Sequence, residues 1–421
     1  MVGEAAHTPA GHSLLVTLSN LVARAHRRLV FVGNVEHQLL CADVFAAGTL
    51  AASTAGLART INPFIDVDMT ARPPARSLLS IGVGVDRRSA VDLALGCDGW
   101  LAHLGADASI GADGGSVWGA SLAAVLAANP AIHRALGRGQ VQPGTLSLWD
   151  YTRPNGRQGP AFTESVDIGR VLQAGAGAVG SALDYFMAMA GLAGSWWIVD
   201  GDDVDVSNLN RQMLFVARDA GFPNGTPANK AEQAAKRLDG AVDCSGQWYG
   251  DDPEVVDRQY DVILALANDR GVRGFLQGRQ PTVLLHATTS PNWQAQLHRH
   301  VAGLDDCTGC RLPSAPPLLA CSTEEIEMPG GQTFDAAIPP LSGLAGLLLA
   351  AELVKLQHGV LVGEAHNFTA VDLATGTPIV QRKIRRCRAG CAVRRNPRVR
   401  QELDGESRWV HLDGEQSTGR A

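Results

Sequence analysis

Continuous apolar runs, rather than alternating ones, mark the second half of this chain. Residues 261–266 (Asp-Val-Ile-Leu-Ala-Leu) and 282–286 (Thr-Val-Leu-Leu-His) have strand length and almost no polar interruption, the pattern of parallel strands buried on both faces. Residues 228–238 read as a helix, 341–356 as a long apolar helix, and 368–373 and 377–384 as closing antiparallel strands. Strands and helices in alternation predict an α/β fold. The first half is a fainter version: 28–33 and 78–84 read as strands, and 118–128 (Trp-Gly-Ala-Ser-Leu-Ala-Ala-Val-Leu-Ala-Ala) echoes the small-residue helix at 342–351. A turn-rich joint, Pro154-Asn155-Gly156-Arg157-Gln158-Gly159-Pro160, separates the halves near residue 160. Residues 1–12 and about 396–421 are polar and are expected to be disordered tails.

One segment changes this picture from fold to chemistry. Val171-Leu172-Gln173-Ala174-Gly175-Ala176-Gly177-Ala178-Val179-Gly180 is followed by Trp197-Ile198-Val199-Asp200, giving strand, glycine turn, helix, strand and acid at dinucleotide-fold spacing. Gly175 would permit a tight turn, Gly177 an approach of backbone N–H groups to a phosphate, and Gly180 close helix packing. A run of this kind also serves plain helix packing, so the residues beyond it carry the argument. Asp200, Asp202, Asp203, Asp205, Asn208, Arg211 and Gln212, with Lys230 further on, form a dense polar cluster that hydride transfer does not need. Asn, Arg and Lys beside a nucleotide can grip a triphosphate and offset charge developing at phosphorus.

The run from Asp200 to Gln212, Asp-Gly-Asp-Asp-Val-Asp-Val-Ser-Asn-Leu-Asn-Arg-Gln, resembles the signature of the ubiquitin-activating, ThiF/MoeB-type adenylyltransferases. The resemblance spans about residues 171–391. It implies a Rossmann-like ThiF-type adenylation domain at 161–395, followed by a polar tail at 396–421. Residues 1–160 echo its elements but lack a third glycine after Gly82 and Gly84 and lack the Asn-to-Arg signature, so they read as a degenerate and inactive adenylation-like α/β domain, with an unrelated small α/β domain as the alternative. The resemblance further implies adenylation, with ATP, of the C-terminal glycine of a ubiquitin-like protein. Asp200 would hold the ribose, Asn208 and Arg211 the phosphates, and Lys230 the phosphate on which charge develops, with Gln212 in support. Lys230 follows a longer glycine-to-lysine run than the family usually has. Magnesium would be held just after strand 261–266, by Asn268 or Asp269 depending on alignment; Asp269 is chosen for its charge, although it could equally cap the next helix. Cys321, the one cysteine on the crossover segment between Cys310 and the long helix, would accept the acyl group as a thiolate, and Met328-Pro329-Gly330-Gly331-Gln332 reads as a mobile loop beside it. Arg153 and Arg157 are candidates for an arginine lent by the partner domain. Family members act as dimers or pseudo-dimers, so a homodimer or a pseudo-dimer within the chain is expected, with a conjugating enzyme as a further partner.

Composition adds a metal and removes some alternatives. Of eight cysteines in 421 residues, four form the close pairs Cys307/Cys310 and Cys387/Cys391, enough thiolates for one closed, structural zinc; four buried free thiols are the alternative. The family often has such a zinc, although the second pair is wider than usual. Cys41, Cys97 and Cys244 read as buried fillers. A net charge of −6 argues against nucleic acid as the main partner, and the apolar stretch at 341–351 is too short to span a bilayer. With no signal peptide evident, a cytoplasmic protein is expected. Rival readings are an enzyme for a sulfur carrier or a ribosomal peptide, a catalytically silent zinc-stabilised binding platform, and a dehydrogenase on the same glycines.

Overall fold

The computed structural model describes residues 1–86, 90–105, 108–111, 117–137, 143–161, 166–238, 241–267, 270–290, 292–311, 325–327, 333–335, 338–357, 366–375, 378–393 and 409. The first half runs α1 (Pro9–Ala23), β1 (Arg28–Val32), α2 (Leu57–Ile61), β2 (Asp66–Thr70), β3 (Ile81–Val83), β4 (Leu93–Asp98), β5 (Leu101–Leu104), α3 (Val117–Ala135) and β6 (Gly144–Ser147). The second half opens with β7 (Asp167–Ala174), α4 (Ala178–Ala190), β8 (Ala193–Val199), α5 (Lys230–Ala235), β9 (Ala241–Ser245) and α6 (Pro253–Asp257). It continues with β10 (Val262–Ala265), α7 (Arg270–Gly278), β11 (Val283–Ser290), β12 (Gln294–Val301) and α8 (Thr308–Arg311). The short pair β13 (Glu325–Glu327) and β14 (Thr333–Asp335) precedes α9 (Pro339–Gln357), β15 (Phe368–Asp372) and β16 (Ile379–Lys383).

The second half is one sheet in the order β16-β15-β12-β11-β10-β7-β8-β9. Strands β7 to β11 are parallel, and β12, β15 and β16 are antiparallel. The continuous apolar runs behave as expected, since Val262 to Ala265 and Val283 to Leu285 are all buried. Strand β12 escaped the hydrophobic pattern because one face carries Gln294, Gln296, His298 and His300 and the other includes Arg299; both histidines and Arg299 are buried, against partners on other segments such as Asp305, Asp306, Arg311 and Glu352.

The first half repeats this order through an unexpected strand. Val2 N–H donates to Val32 O (2.8 Å), Gly3 N–H to Val83 O (3.0 Å) and Val83 N–H to Met1 O (2.9 Å), with Val2 bridged in parallel to Val83. Residues 1–3 therefore lie between β1 and β3, and the order becomes β2-β1-(1–3)-β3-β4-β5-β6. That is the order β9-β8-β7-β10-β11-β12-β15, with α1 in the place of α4 and α3 in the place of α9. Two expectations change. Residues 1–12 are not a loose tail, because they supply a strand and the start of α1, which Pro9 opens behind the N-cap Thr8. Gly82 lies in β3, the counterpart of β10, and Gly84 directly follows that strand, so the two are not a worn copy of the glycine turn after β7. At the other end Trp409 is buried and donates from Nε1 to Asp261 O (3.1 Å), so the polar C-terminal stretch is packed at that residue. Cys97 is buried as expected, Cys41 is half-buried, and Cys244 is exposed because β9 is an edge strand.

Helices α3 and α9 join the halves. Both are apolar on every side, which is the pattern of a helix enclosed by protein or lipid. Helix α9 is long and apolar enough to cross a membrane, but its apolar window is wholly buried here. It lies against β11, β12, α4, α3 and α1. Gly346 makes this possible, since a Cβ there would stand 2.6 Å from Ala182 Cβ and from Leu183 N on α4. Gly343 faces Leu21, Val125 and Met213, one residue from each of three neighbouring segments.

The two charges on α9 meet the first half. Glu352 accepts from Arg299 Nη1 (3.0 Å) and from Tyr151 OH (3.2 Å). Lys355 Nζ lies 3.6 Å from the centre of the Tyr151 ring, with Trp100 and Trp149 about 6 Å away, and has no hydrogen-bond partner among the described residues. Burial lowers its ammonium to about 7, against which the ring faces and Glu352 work. Because the unfolded lysine holds its proton to higher pH, the burial penalty is full below pH 7 and fades toward about pH 10.5. Lys355→Met, unbranched, apolar and one atom shorter, is expected to match or exceed wild-type stability, with its advantage greatest at pH 6 and shrinking toward pH 10. Urea midpoints of both proteins across that range would measure it.

Candidate nucleotide site and cysteine cluster

The glycine turn forms where β7 ends. Gly175 adopts φ +110°, and a Cβ there would lie 2.7 Å from Ala267 N, so both conformation and space require glycine. Gly177 caps α4 from open space, leaving the N-terminal amides of the helix uncovered by any side chain of its own. Gly180 is constrained by the turn itself: a Cβ would sit 2.3 Å from Gly175 O. The helix thus packs on the loop as well as on the sheet.

Asp200 ties this turn to the next strand. One carboxylate oxygen accepts from Ala176 N–H (2.7 Å) and the other from Asp202 N–H (3.0 Å). Burial raises its carboxyl, and the two amides and the nearby Lys230 ammonium oppose that rise. The polar residues that follow form two groups. Asp205 caps the short turn Val206–Asn208 by accepting from Ser207 N–H (2.7 Å), and Arg211 then donates from Nη1 to Ser207 O (3.0 Å) and Asn210 Oδ1 (2.9 Å). Asn208 and Arg211 remain half-buried, whereas Gln212 is buried with its Oε1 unpartnered among the described residues.

Lys230 arrives at the same edge from further along the chain. The longer run before it folds back on itself, with Gly225 N–H donating to Gly221 O (2.6 Å) and Ala228 N–H to Asp219 O (2.8 Å). Asn229 then bridges to both Asp200 O (2.9 Å) and Asp202 O (3.1 Å) and caps α5 through Glu232 N–H. Lys230 Nζ, almost fully buried, pairs with Asp202 Oδ2 at 2.8 Å. The extra residues therefore leave the lysine beside Asp200. Asn229 was not foreseen, although an Asn directly before a helical Lys-Ala-Glu run is a readable cap signal. Asn268 and Asp269, Cys321, and the loop at 328–332 lie outside the described residues. Both arginines lie in the loop after β6, where Arg153 donates back to Pro143 O (2.9 Å), just before that strand, and Arg157 pairs with Asp150 (3.3 Å).

Behind the turn, sequence reading missed a buried polar pair. Gln173 Nε2 donates to Gly175 O (3.3 Å) and to Asp184 Oδ2 (3.1 Å), while Gln173 Oε1 and Asp184 Oδ1 have no partner among the described residues. Burial raises the Asp184 carboxyl to about 8, so at neutral pH it is mostly a neutral acid.

The four cysteines of the two pairs converge. The sulfurs of Cys307, Cys310, Cys387 and Cys391 all lie within 4.8 Å of one another, and Cys307 and Cys391 are 3.7 Å apart. Four thiolates about 2.3 Å from a central zinc stand about 3.8 Å apart, so the cluster fits a tetrahedral zinc. The backbone supports it, since Cys307 N–H donates to Cys387 Sγ (3.2 Å) as amides do to metal thiolates. Without a cation, burial pushes the Cys307 and Cys387 thiols up; a divalent ion reverses that tendency. Just before Cys307, Asp305 pairs with Arg299 (3.0 Å) and Asp306 with Arg311, so buried ion pairs anchor the first knuckle.

A model of the ThiF family matches residues 151–393. The adenylyltransferase and sulfurtransferase MOCS3-2 of Zea mays is 26% identical over 45% of this chain and 38% of its own length. The sulfur carrier protein adenylyltransferase of Thermus thermophilus is 27% identical over 57% of this chain and 84% of its own length. The chain spans about two fifths to three fifths of the length of the first curated relatives it matches. Among solved structures, E. coli MccB is 19% identical over 54% of this chain and 65% of its own, with a TM-score of 0.41.

Two measurements follow from this geometry. The unfolded Asp184 is ionised above about pH 4 while the folded one keeps its proton to about 8, so folding takes up a proton and wild-type stability falls across that window, by at most about 1.4 kcal/mol per pH unit. Asp184→Asn should remove this slope, gaining on wild type as pH rises from 5 to 8 in urea titrations; parallel curves would show that Asp184 is ionised. Metal analysis should find one zinc per chain, and Cys307→Ser should lower the melting temperature by roughly 5–10 °C, a few kcal/mol at about 2–4 °C each. A metal-free protein of unchanged stability would remove the zinc assignment.

Proposed function

The chain belongs to the ThiF family, and on that footing we propose that it is an ATP-dependent adenylyltransferase for the C-terminal glycine of a small ubiquitin-like protein. A carboxylate cannot be attacked directly, because oxide would have to leave. Joining it to AMP supplies a leaving group: a carboxylate oxygen attacks the α-phosphorus in line, and pyrophosphate departs with its electron pair. Both reactants are anionic, so the site must supply positive charge and oriented donors. The observation that carries the reading is the meeting of Lys230 with the Asp200–Asp202 turn and the glycine loop, three segments separated by up to 55 residues in sequence. In this reading Asp200 receives the ribose hydroxyls, Asn208 and Arg211 the phosphates, and Lys230 the phosphate on which charge develops. Gln212 supports them through its buried side-chain amide. Magnesium, when bound, would neutralise the β- and γ-phosphates, with Asp269 as its carboxylate.

Residues 161–395 are the active half in this proposal and residues 1–160 a supporting copy, making a pseudo-dimer within one chain. The first half has the strand order but not the chemistry: its counterpart of β7 runs into Gly3-Glu4-Ala5-Ala6 without a second glycine, and β1 ends in Val32-Gly33-Asn34 where β8 ends before Asp200. A sulfur carrier is the second reading of the substrate, favoured by the Thermus thermophilus relative, most of whose length is matched. The two diverge after adenylation. In the ubiquitin-like reading the Cys321 thiolate displaces AMP from the mixed anhydride and forms a thioester.

Pyrophosphate exchange with glycine-terminated proteins tests the whole scheme. Arg211→Ala and Lys230→Ala should each lose roughly 10²–10³ in rate while remaining folded; wild-type rates in both would defeat the assignment. Cys321→Ala should keep the exchange and lose only a reductant-sensitive adduct with the carrier, whereas an adduct absent from wild type as well favours the sulfur-carrier reading.

A further inference from the structure

An arginine of the supporting half grips the loop that bears the proposed phosphate-binding residues. Arg24, at the C-terminal end of α1, is fully buried among carbonyls of residues 209–215. Its Nη1 donates to Leu209 O (2.6 Å), and its Nη2 donates to Met213 O (2.8 Å) and Phe215 O (3.0 Å). Its Nε is held by Asn20 Oδ1 (2.8 Å), and Asn20 Nδ2 donates to Met213 O as well (3.0 Å). The loop needs this. It is a chain of tight turns, with Arg211 N–H and Gln212 N–H both returning to Asn208 O and Phe215 N–H to Gln212 O, so the carbonyls of 209, 213 and 215 point away without a ladder to join. Met213, Leu214 and Phe215 are buried, so water does not serve them instead.

We infer that Arg24 is a positioning residue: by gathering these three carbonyls it fixes the backbone from which Asn208, Arg211 and Gln212 project, so that the inactive half sets the geometry of the active one. The inference rests on the proposed role of Arg211 at the phosphates. A planar guanidinium is required because one group must donate in several directions in one plane; an ammonium at the same place reaches fewer carbonyls.

The test uses the full chain at 25 °C with two readouts, affinity for a fluorescent ATP analogue and amide hydrogen exchange over residues 205–216 compared with 178–190. Arg24→Met should weaken nucleotide binding by about tenfold or more and speed exchange in 205–216 alone, with Arg24→Lys between it and wild type. Thr17→Val, which removes the hydrogen bond between Thr17, on the same helix as Arg24, and Tyr185 on α4 (3.0 Å), should lower the melting temperature and move neither readout. Should Arg24→Met not fold, Arg24→Lys carries the same comparison. Variants that melt earlier yet keep wild-type affinity and loop protection would overturn the inference and leave Arg24 a packing residue. Failure of the adenylation reading would look different: wild type would bind the nucleotide without exchanging pyrophosphate, while the two readouts would still report on Arg24.

Discussion

Enclosure of two helices that have no polar face is the constraint on which this structure turns. Neither α3 nor α9 can be left on a surface, and one sheet covers only one side of each. Packing α3 against α9, with α1 and α4 alongside, closes both at once and fuses the two halves into one apolar core. Glycines at 343 and 346 set how close the helices come. The arrangement repeats because each half places its helix between the same two strands of the same sheet order. Isolating either half would expose the side of its long helix that packs on the other half.

Some of the polar groups inside that core are joined across distant elements. Arg299 spans Asp305, beside the cysteine cluster, and Glu352 on α9, which in turn receives Tyr151 from the first half. One buried network thus runs from the zinc-type knuckle through β12 and the central helix to the neighbouring half. Buried ion pairs of this kind add little net stability compared with apolar packing, but losing one partner is costly, so they act mainly to hold register. The cysteine cluster and the interface between halves are braced against each other.

The nucleotide edge follows a different economy. Here the backbone bends into tight turns whose amides and carbonyls are collected by side chains: Asp200 takes amides of the glycine turn and of Asp202, Asn229 takes carbonyls of Asp200 and Asp202, and Arg24 takes those of residues 209–215. Irregular loops held in this way keep their shape without a ligand, which is what oriented charge at a phosphate requires. Tight turns, unlike regular strands, cannot satisfy themselves, and so the most irregular part of the fold draws on the most distant partners.

What could be read from the chain alone were features written in local sequence. Continuous apolar runs marked β10, β11 and α9, the glycines and Asp200 marked the nucleotide turn, the Asn208–Gln212 motif marked its family, and the paired cysteines marked a possible zinc. Each depends on residues within a turn or two of one another, or on a spacing that a single element imposes. Other features needed the folded chain. Residues 1–3 are too short and too plain to announce a strand, and become one only because β1 and β3 leave a gap between them. Strand β12 hid behind its polar alternation, whose partners lie on other elements. Arg24, Gln173 with Asp184, and Lys355 among its aromatic rings carry no local signature, because hydrogen bonds and burial across 100 or more residues, or across a sheet and its helix, are set by packing. Apolar periodicity decides which elements form; which polar groups must be satisfied, and by whom, is decided only when those elements close on one another.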